Sequence, residues 1–202
     1  MVLIQSADGT VEVDARAVIV ATGAYVEPRE HRPIAGGRPS GVITSDLAWE
    51  ILRHGLRPGR VVALVGEGTL ADDLASSIVD TGAQVFRLAE APDSVRGEIR
   101  LEAVHAEEGW LEVDTLILAD RLLAQAFVLR GLGLIDARPG VPAPADAEGR
   151  LPLAGLWAAG CSVNPSLDHR SCADQGRAVG RRAAYAMAGG REGPGNEPVV
   201  VQ

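Results

Sequence analysis

The chain has 202 residues, 47% of them hydrophobic, and a net charge of −8. This length suits one large domain or two small ones with a real core, and the acidic balance argues against nucleic acid or an anionic membrane as the main partner. No apolar run approaches the roughly 18–20 residues of a membrane span, and no signal peptide opens the chain, so we expect a cytoplasmic protein without membrane contact.

All 19 basic residues are arginine. The absence of lysine excludes a P-loop and a pyridoxal-phosphate Schiff base. Cys161 and Cys172 are too few for a four-ligand zinc or iron–sulfur site, and the histidines show no ligand spacing. We therefore predict no metal site, and no catalytic acid or base stands out.

The first part of the chain is predicted to be β-rich. Residues 2–13 favour a hairpin, because Asp8-Gly9 is a strong turn dipeptide. The continuous apolar run at 15–24 predicts a strand buried on both faces, as in a parallel sheet. Residues 26–43 are predicted to form a loop, and Ser45 is expected to cap a short helix.

A βαβ unit is predicted over residues 61–90. The apolar run Val61–Val65 is a buried strand, and an apolar stripe at helical spacing runs from Leu70 to Val79. Gly82 ends this helix, and residues 84–90 form the next strand. The remaining predictions are strands at 95–105, 110–119 and within 149–161, and helices at 121–133 and from about Ser171 to Gly189.

The turn inside the βαβ unit has the composition of a dinucleotide site. Gly66, Gly68 and Ala71 form a GxGxxA pattern between a strand and a helix, which predicts a pyrophosphate on the helix N-terminus. Glu90 follows at the distance of the carboxylate that binds a ribose 2′-hydroxyl. This acid favours NAD over NADP, because it would repel a 2′-phosphate.

Three acids in the same stretch oppose an anionic ligand. Asp72 and Asp73 are expected to serve the helix dipole, and they cannot both face one ligand. Glu67 lies inside the turn and is the more serious obstacle. The alternative is therefore a strand-to-helix turn that binds nothing.

Three segments carry a family resemblance by their order: AVIVATGA (17–24), VVALVGEGTLA (61–71) and GRLPLAGLWAAGC (149–161). The chain resembles the two-dinucleotide-binding-domain flavoproteins of the pyridine nucleotide-disulfide oxidoreductase superfamily. Its ATG-x-x-x-x-P segment and its tail AAGCSVNPSLDHRSCADQGR further resemble the branch of sarcosine oxidase, opine oxidase and hydrogen cyanide synthase α subunits and related FAD-dependent oxidoreductases.

The resemblance implies an α/β fold in which a Rossmann-like three-layer NAD-type domain is inserted in a partial FAD-type domain. Residues 1–45 and 121–190 would form the FAD-type part, 46–120 the NAD(P)-binding-like part, and 191–202 a flexible tail. The resemblance also implies two cofactors, FAD and NAD, and it places FAD near four residues at two strand ends: Thr22, Gly23, Gly160 and Cys161.

The chain departs from the family pattern in four places. Met1 comes just before the hairpin, so the family's FAD-binding βαβ unit, which normally precedes it, is expected to be absent. The family's Gly-Asp near the flavin is Gly160-Cys161, and a thiol is a weak hydrogen-bonding partner. The segment ADRLL (119–123) lacks the glycine of the family's A-x-G-R. The family's CxxxxC redox pair is missing as well.

Two functions remain open from the sequence. One is a component of a FAD/NAD-dependent oxidoreductase that moves electrons between a nicotinamide and a flavin and serves oxidation of a small amine, imino acid or polyol. The other is a degenerate, non-catalytic subunit that keeps the fold. The sequence would also suit a fragment of a longer gene product. For each we expect a homo-oligomer or a heteromeric flavoenzyme subunit, since a partial domain exposes a sheet edge or apolar face.

Overall fold

The computed structural model describes residues 2–106 and 109–189. Its strands are β1 (Val2–Ser6), β2 (Gly9–Val13), β3 (Val18–Val20), β4 (Ala24–Val26), β5 (Val42–Thr44), β6 (Val61–Val65), β7 (Gln84–Leu88), β8 (Ser94–Arg96), β9 (Ala103–Ala106), β10 (Gly109–Glu112), β11 (Thr115–Leu118), β12 (Leu122–Ala124) and β13 (Leu156–Ala158). Its α-helices are α1 (Ser45–Arg53), α2 (Thr69–Asp80) and α3 (His169–Met187), and 3-10 turns lie at Arg29–His31, Phe127–Leu132 and Gly160–Ser162.

The chain divides into two compact units, one inserted into the other. The inserted unit is Tyr25–Leu122, and the outer unit contains the segments up to Ala24 and from Leu123 onward. An insertion of this kind is what the resemblance implies. The division differs from the predicted boundary at residue 45, because β5 pairs with β11 inside the inserted unit.

The inserted unit is built on a four-stranded parallel sheet with the order β5-β11-β6-β7. Because side chains alternate between the two faces along β6, Val62 and Leu64 lie on the face covered by α1 and α2. Ala63 and Val65 lie on the opposite face. The antiparallel sheet β10-β9-β8 covers that second face. The three layers are therefore helices, parallel sheet and antiparallel sheet, as predicted, and both faces of the central strands are buried.

The outer unit contains the parallel pair β3 and β13, covered by α3. Val179 and Ala183 of α3 pack against Trp157 and Ala159. The hairpin β1–β2 forms a separate two-stranded sheet with its predicted turn. Because β3 and β13 run parallel, their carboxyl ends meet at one edge, which brings two of the predicted segments together.

Several local predictions are wrong. The strand in 15–24 is not buried on both faces, since Ile19 is 42% exposed. Thr44, not Ser45, is the N-cap residue of α1, and the Ser45 hydroxyl is buried without a hydrogen-bond partner. In α2, Leu70 and Val79 are exposed, and the buried stripe is Ala71, Leu74 and Ile78.

The predicted helix at 121–133 is also wrong. Leu122–Ala124 is a strand that pairs with β4, and a 3-10 turn follows at Phe127–Leu132. Gly131 and Gly133 lower the helix propensity of this segment, and Gly133 has a positive φ of 68°. Strand pairing therefore overrides the apolar periodicity here.

The predicted strands at 95–105 and 110–119 are each broken into two short strands, β8 with β9 and β10 with β11. The last helix begins two residues before the predicted Ser171, because Asp168 caps it and accepts from the Ser171 amide at 2.7 Å. Among the described residues, no helix has the length and apolar composition needed to cross a bilayer. The tail predicted at 191–202 lies outside the described residues.

Candidate functional site

The glycine turn between β6 and α2 has the geometry of a phosphate cradle. Gly66 has a φ of 122°, and a Cβ there would lie 3.0 Å from the Ala119 carbonyl carbon. Gly68, the N-cap residue of α2, has a φ of 83°, and a Cβ there would meet nothing within 4 Å. The first glycine is thus needed for a close backbone approach, and the second leaves open space at the helix start.

The third small position of the pattern has a packing role. Ala71 is fully buried among Leu64, Leu74 and Ile117, between α2 and the parallel sheet. A small side chain here lets the helix approach the strand, which is the function of this position in dinucleotide turns. The first intrahelical hydrogen bond of α2 runs from the Asp72 amide to the Gly68 carbonyl at 3.0 Å, so the amides of residues 69–71 are the ones that a helix start leaves available for an anion.

The side chain of an arginine on β7 binds this turn. The Arg87 guanidinium donates to the Gly66 carbonyl at 2.7 Å and to the Asp72 carboxylate at 2.8 Å. A longer contact of 3.5 Å reaches the Ala71 carbonyl. Arg87 therefore neutralises one of the three acids and ties the end of the turn to the neighbouring strand.

The other two acids are placed differently. Glu67 is exposed, in the turn itself. Asp73 is exposed on α2, where its backbone carbonyl accepts from the Ser77 hydroxyl at 2.9 Å. Of the three carboxylates, only Glu67 lies between the two glycines of the turn, and its effect on an anionic ligand stays a prediction.

Glu90 lies beyond the end of β7, next to the glycine turn. The Gly66 amide donates to the Leu88 carbonyl at 3.1 Å, which sets the two segments side by side. Glu90 is exposed and lines a cavity of about 480 Å³, bounded by residues 86–93 and by Ala106 and residues 109–111 of the antiparallel sheet. Cavities of this size hold small ligands in other proteins.

The outer unit brings its predicted FAD residues to one edge. Val20 and Ala158 are register partners at the ends of β3 and β13, so Thr22-Gly23 and Gly160-Cys161 follow neighbouring strands. The Thr22 hydroxyl donates to the Gln125 carbonyl. Gly23 has a φ of 77° and open space at its Cβ position, so a ligand can approach the backbone there.

Gly160 and Cys161 are engaged by α3. The Gly160 amide donates to Gln175 Oε1 at 2.6 Å, and the Cys161 thiol lies 3.3 Å from the Cys172 thiol. The nearby Asp168 carboxylate caps α3. The strand ends thus fit the approach of a flavin nucleotide at Gly23, whereas Cys161 does not take the place of the carboxylate that the resemblance implies.

The sequence did not identify the partners of Arg87 or the role of Gln175. Strand alternation places Arg87 on the face of Val85, which packs against α2, so the contact with Asp72 was within reach of a register argument. Gln175 had no such signal, because its contact depends on how α3 packs. The roles of the eight predicted cofactor residues stay predictions.

No protein-family model and no curated protein matches the sequence. Solved structures do match. L-proline dehydrogenase from P. horikoshii aligns with a TM-score of 0.72 at 23% identity, over 95% of this chain and 39% of that one. A FAD-dependent pyridine nucleotide-disulphide oxidoreductase from Desulfovibrio vulgaris aligns with a TM-score of 0.63 at 18% identity, over 87% and 55%. A NAD-dependent persulfide reductase from A. fulgidus aligns with a TM-score of 0.61 at 16% identity, over 94% and 42%.

These matches concern the fold. The chain spans 39% of the proline dehydrogenase and 55% of the D. vulgaris protein, so it corresponds to part of each. The narrower resemblance to the sarcosine oxidase branch stays a prediction. The chain has the mixed α/β fold of the FAD-dependent oxidoreductases of the pyridine nucleotide-disulfide type, over about half or less of their length.

Proposed function

We propose that the chain is a component of a FAD/NAD-dependent oxidoreductase, in which electrons move between a nicotinamide and a flavin. The observation that carries the proposal is the glycine turn at the start of α2, with open space at Gly68 and with the charge of Asp72 neutralised by Arg87. Nicotinamide and flavin supply the hydride chemistry, and the protein binds and orients them. The fold match to flavoproteins supports the same class of reaction.

Within this proposal, the inserted unit binds NAD. The pyrophosphate lies against the first turn of α2, and Glu90 accepts a hydrogen bond from a ribose hydroxyl. The cavity of about 480 Å³ that Glu90 lines supports the placement of a ribose beside this carboxylate. The substrate class proposed is a small amine, imino acid or polyol, as the branch resemblance implies.

The decisive measurement is calorimetric titration of the chain with NADH and NADPH, using two glycine variants. Gly68→Ala and Gly82→Ala are matched, because their φ values are 83° and 80° and neither Cβ position has an atom within 4 Å. Both variants place alanine at a positive φ, but only Gly68 lies at the proposed phosphate position. Because Gly68 also has a ψ of −178°, a conformation that alanine adopts only with strain, the thermal unfolding of both variants is compared with that of the wild type before the titration. We expect micromolar NADH binding, tighter than that of NADPH, and at least about a tenfold loss in Gly68→Ala alone.

A second function is favoured by one observation: the Gly160 amide and the Cys161 thiol are both engaged within the outer unit. A degenerate subunit that keeps the fold without cofactors is compatible with this. Absence of NADH binding in the wild-type chain, together with failure to take up FAD in the presence of partner protein, would favour this structural role over the oxidoreductase.

We also propose that the chain assembles with copies of itself or with another flavoenzyme subunit, in the cytoplasm. The β1–β2 hairpin supports assembly, because Leu3, Ile4 and Val11 are 60%, 51% and 57% exposed. An isolated two-stranded hairpin is only marginally stable in water. Sedimentation velocity tests this, and a monomer at all concentrations, alone and with candidate partners, would contradict it.

A further inference from the structure

Two thiols of the outer unit lie in direct contact, although they are eleven residues apart and do not match a CxxC motif. Cys161 Sγ and Cys172 Sγ are 3.3 Å apart, and both residues are free cysteines with partly exposed side chains. The chain has two cysteines in all. A disulfide needs a sulfur–sulfur distance of about 2.0 Å, so a small side-chain adjustment would suffice to close the bond.

The backbone around both residues is held by hydrogen bonds. Cys161 lies on the 3-10 turn Gly160–Ser162, which Gln175 anchors through the Gly160 amide at 2.6 Å. Cys172 lies in the first turn of α3, where its amide donates to the Asp168 carbonyl at 2.9 Å. The proximity of the thiols is thus built into two anchored segments.

The thiols also share an acceptor. Cys161 Sγ lies 3.7 Å and Cys172 Sγ 3.9 Å from the carbonyl oxygen of Leu167, in the loop between them. Each S–H group is a weak donor, and the carbonyl can accept from either of them, so the two thiols converge on one acceptor. The function proposed above assigns no electron-transfer step to either thiol.

We propose that Cys161 and Cys172 are a redox-active dithiol, which closes to an intramolecular disulfide by exchange with a small-molecule disulfide such as oxidised glutathione. This pair is distinct from the family's CxxxxC, which the chain lacks. The inference does not depend on NAD or FAD binding, because it concerns only these two side chains.

The exchange proceeds in two balanced steps. The Cys172 thiolate attacks one sulfur of oxidised glutathione, forms a mixed disulfide and releases the first glutathione thiolate, which takes up a proton. The Cys161 thiol then loses its proton to water and attacks Cys172 Sγ, releasing the second glutathione. Two protein S–H bonds are replaced by one S–S bond, and two electrons pass to the glutathione disulfide.

The order of attack follows from the surroundings of each sulfur. Burial raises the pKa of Cys161 to about 11, and its hydrogen bond with Cys172 acts in the same direction, so Cys161 stays a thiol at neutral pH. Cys172 is therefore the first nucleophile, and Cys161 resolves the mixed disulfide.

The test is equilibration of the whole chain in glutathione buffers of increasing oxidised-to-reduced ratio, followed by acid quenching, alkylation and intact mass measurement. In the oxidised wild type we expect that neither cysteine is alkylated. Its mass should be that of the reduced chain minus two hydrogens, without a glutathione adduct. Cys161→Ser should instead accumulate a glutathione adduct, and Cys172→Ser should form one more slowly, because Cys161 stays protonated.

The wild-type chain unfolded in urea is the control that shows whether the fold brings the two thiols together. The folded chain should reach half oxidation at a ratio at least about tenfold more reducing than the unfolded chain, since folding raises the effective concentration of one thiol at the other. Equal ratios, a persistent glutathione adduct in the folded wild type, or a disulfide that joins two chains would each overturn the proposal.

Discussion

Arg87 on β7 and Asp72 on α2 form an ion pair of 2.8 Å across the glycine turn. The same guanidinium binds the Gly66 carbonyl at 2.7 Å, so one side chain connects the strand, the turn and the helix. The pair explains how an acid can occupy the start of a dinucleotide-type helix, because the guanidinium of Arg87, on the sheet, neutralises the charge of Asp72. The turn is thus held by β7 as well as by its own glycines.

Replacement of Arg87 tests this connection. We expect Arg87→Met to lower the free energy of unfolding by about 1 kcal/mol, because it removes a hydrogen bond to a backbone carbonyl together with the ion pair. Arg177→Met is the control, since it removes the exposed pair with Asp174 at 2.5 Å and should cost less than about 0.5 kcal/mol. Urea unfolding measures both, and equal losses would contradict the role given to Arg87.

A buried arginine anchors the inserted unit near its chain ends. The Arg32 side chain has no exposed surface and pairs with Asp120 at 2.6 Å, and it also donates to the Glu27 carbonyl at 2.9 Å. Arg32→Met should lower the free energy of unfolding by about 3 kcal/mol, because the carboxylates of Asp120 and Glu27 are left largely buried without this partner.

The double variant Arg32→Met/Asp120→Leu is the check on that cause. It should be more stable than the sum of the two single changes predicts, because the unpaired carboxylate of Asp120 is removed with its partner. Simple additivity in denaturant unfolding would show that the ion pair itself is not responsible for the loss.

Substitutions at residue 121 test whether the ADRLL segment needs a glycine there. Arg121 has a φ of 52°, in the left-handed region, and its guanidinium pairs with Glu27 at 3.2 Å. Arg121→Gly and Arg121→Val lose the ion pair equally, but only valine must hold a branched side chain in this conformation. We expect the valine variant to be less stable by about 1 kcal/mol, after allowance for the freedom of glycine in the unfolded chain. Thermal unfolding that ranks the two equally would contradict this.

The N-cap of α3 should give a pH-dependent contribution to stability. The Ser171 backbone amide lowers the pKa of Asp168 from its ordinary 3.8, with a further contribution from the Ser171 hydroxyl. A carboxylate whose pKa is lower in the folded state stabilises that state above the unfolded pKa, and the effect is lost as pH falls through the folded pKa.

The variant that tests this contribution is Asp168→Ala. Its melting temperature should lie below that of the wild type at pH 7, and the gap should narrow as pH falls below 3.8 toward the lowered folded-state pKa. Asp174→Ala, which alters an exposed carboxylate on the same helix, serves as control. A gap that stays constant with pH would exclude ionisation of Asp168 as its source.

The sequence predicts features that depend on neighbouring residues, and it misses those that depend on contacts between distant parts of the chain. The βαβ unit was predictable, because an apolar run, a glycine turn and a helical stripe stand next to one another between Val61 and Leu88. The helix predicted at 121–133 was wrong, because pairing of β12 with β4, across about a hundred residues of chain, outweighs local periodicity.

The strand β5 shows the same limit. Val42–Thr44 has too few residues to stand out from a loop rich in proline and glycine, yet it forms the edge of the parallel sheet beside β11. Its assignment to the inserted unit moved the division between the units from residue 45 to residue 25. A short edge strand is defined by its partner, and the partner lies far away in the sequence.

By itself, the sequence determined the class of fold, the glycine turn and the order of the dinucleotide-type segments, because these depend on residues adjacent in the chain. Only the tertiary structure decided which side chains meet: Arg87 with Asp72, Arg32 with Asp120, Gly160 with Gln175, and Cys161 with Cys172. Such contacts depend on how strands pair and helices pack, and residue types and spacing alone do not specify that geometry.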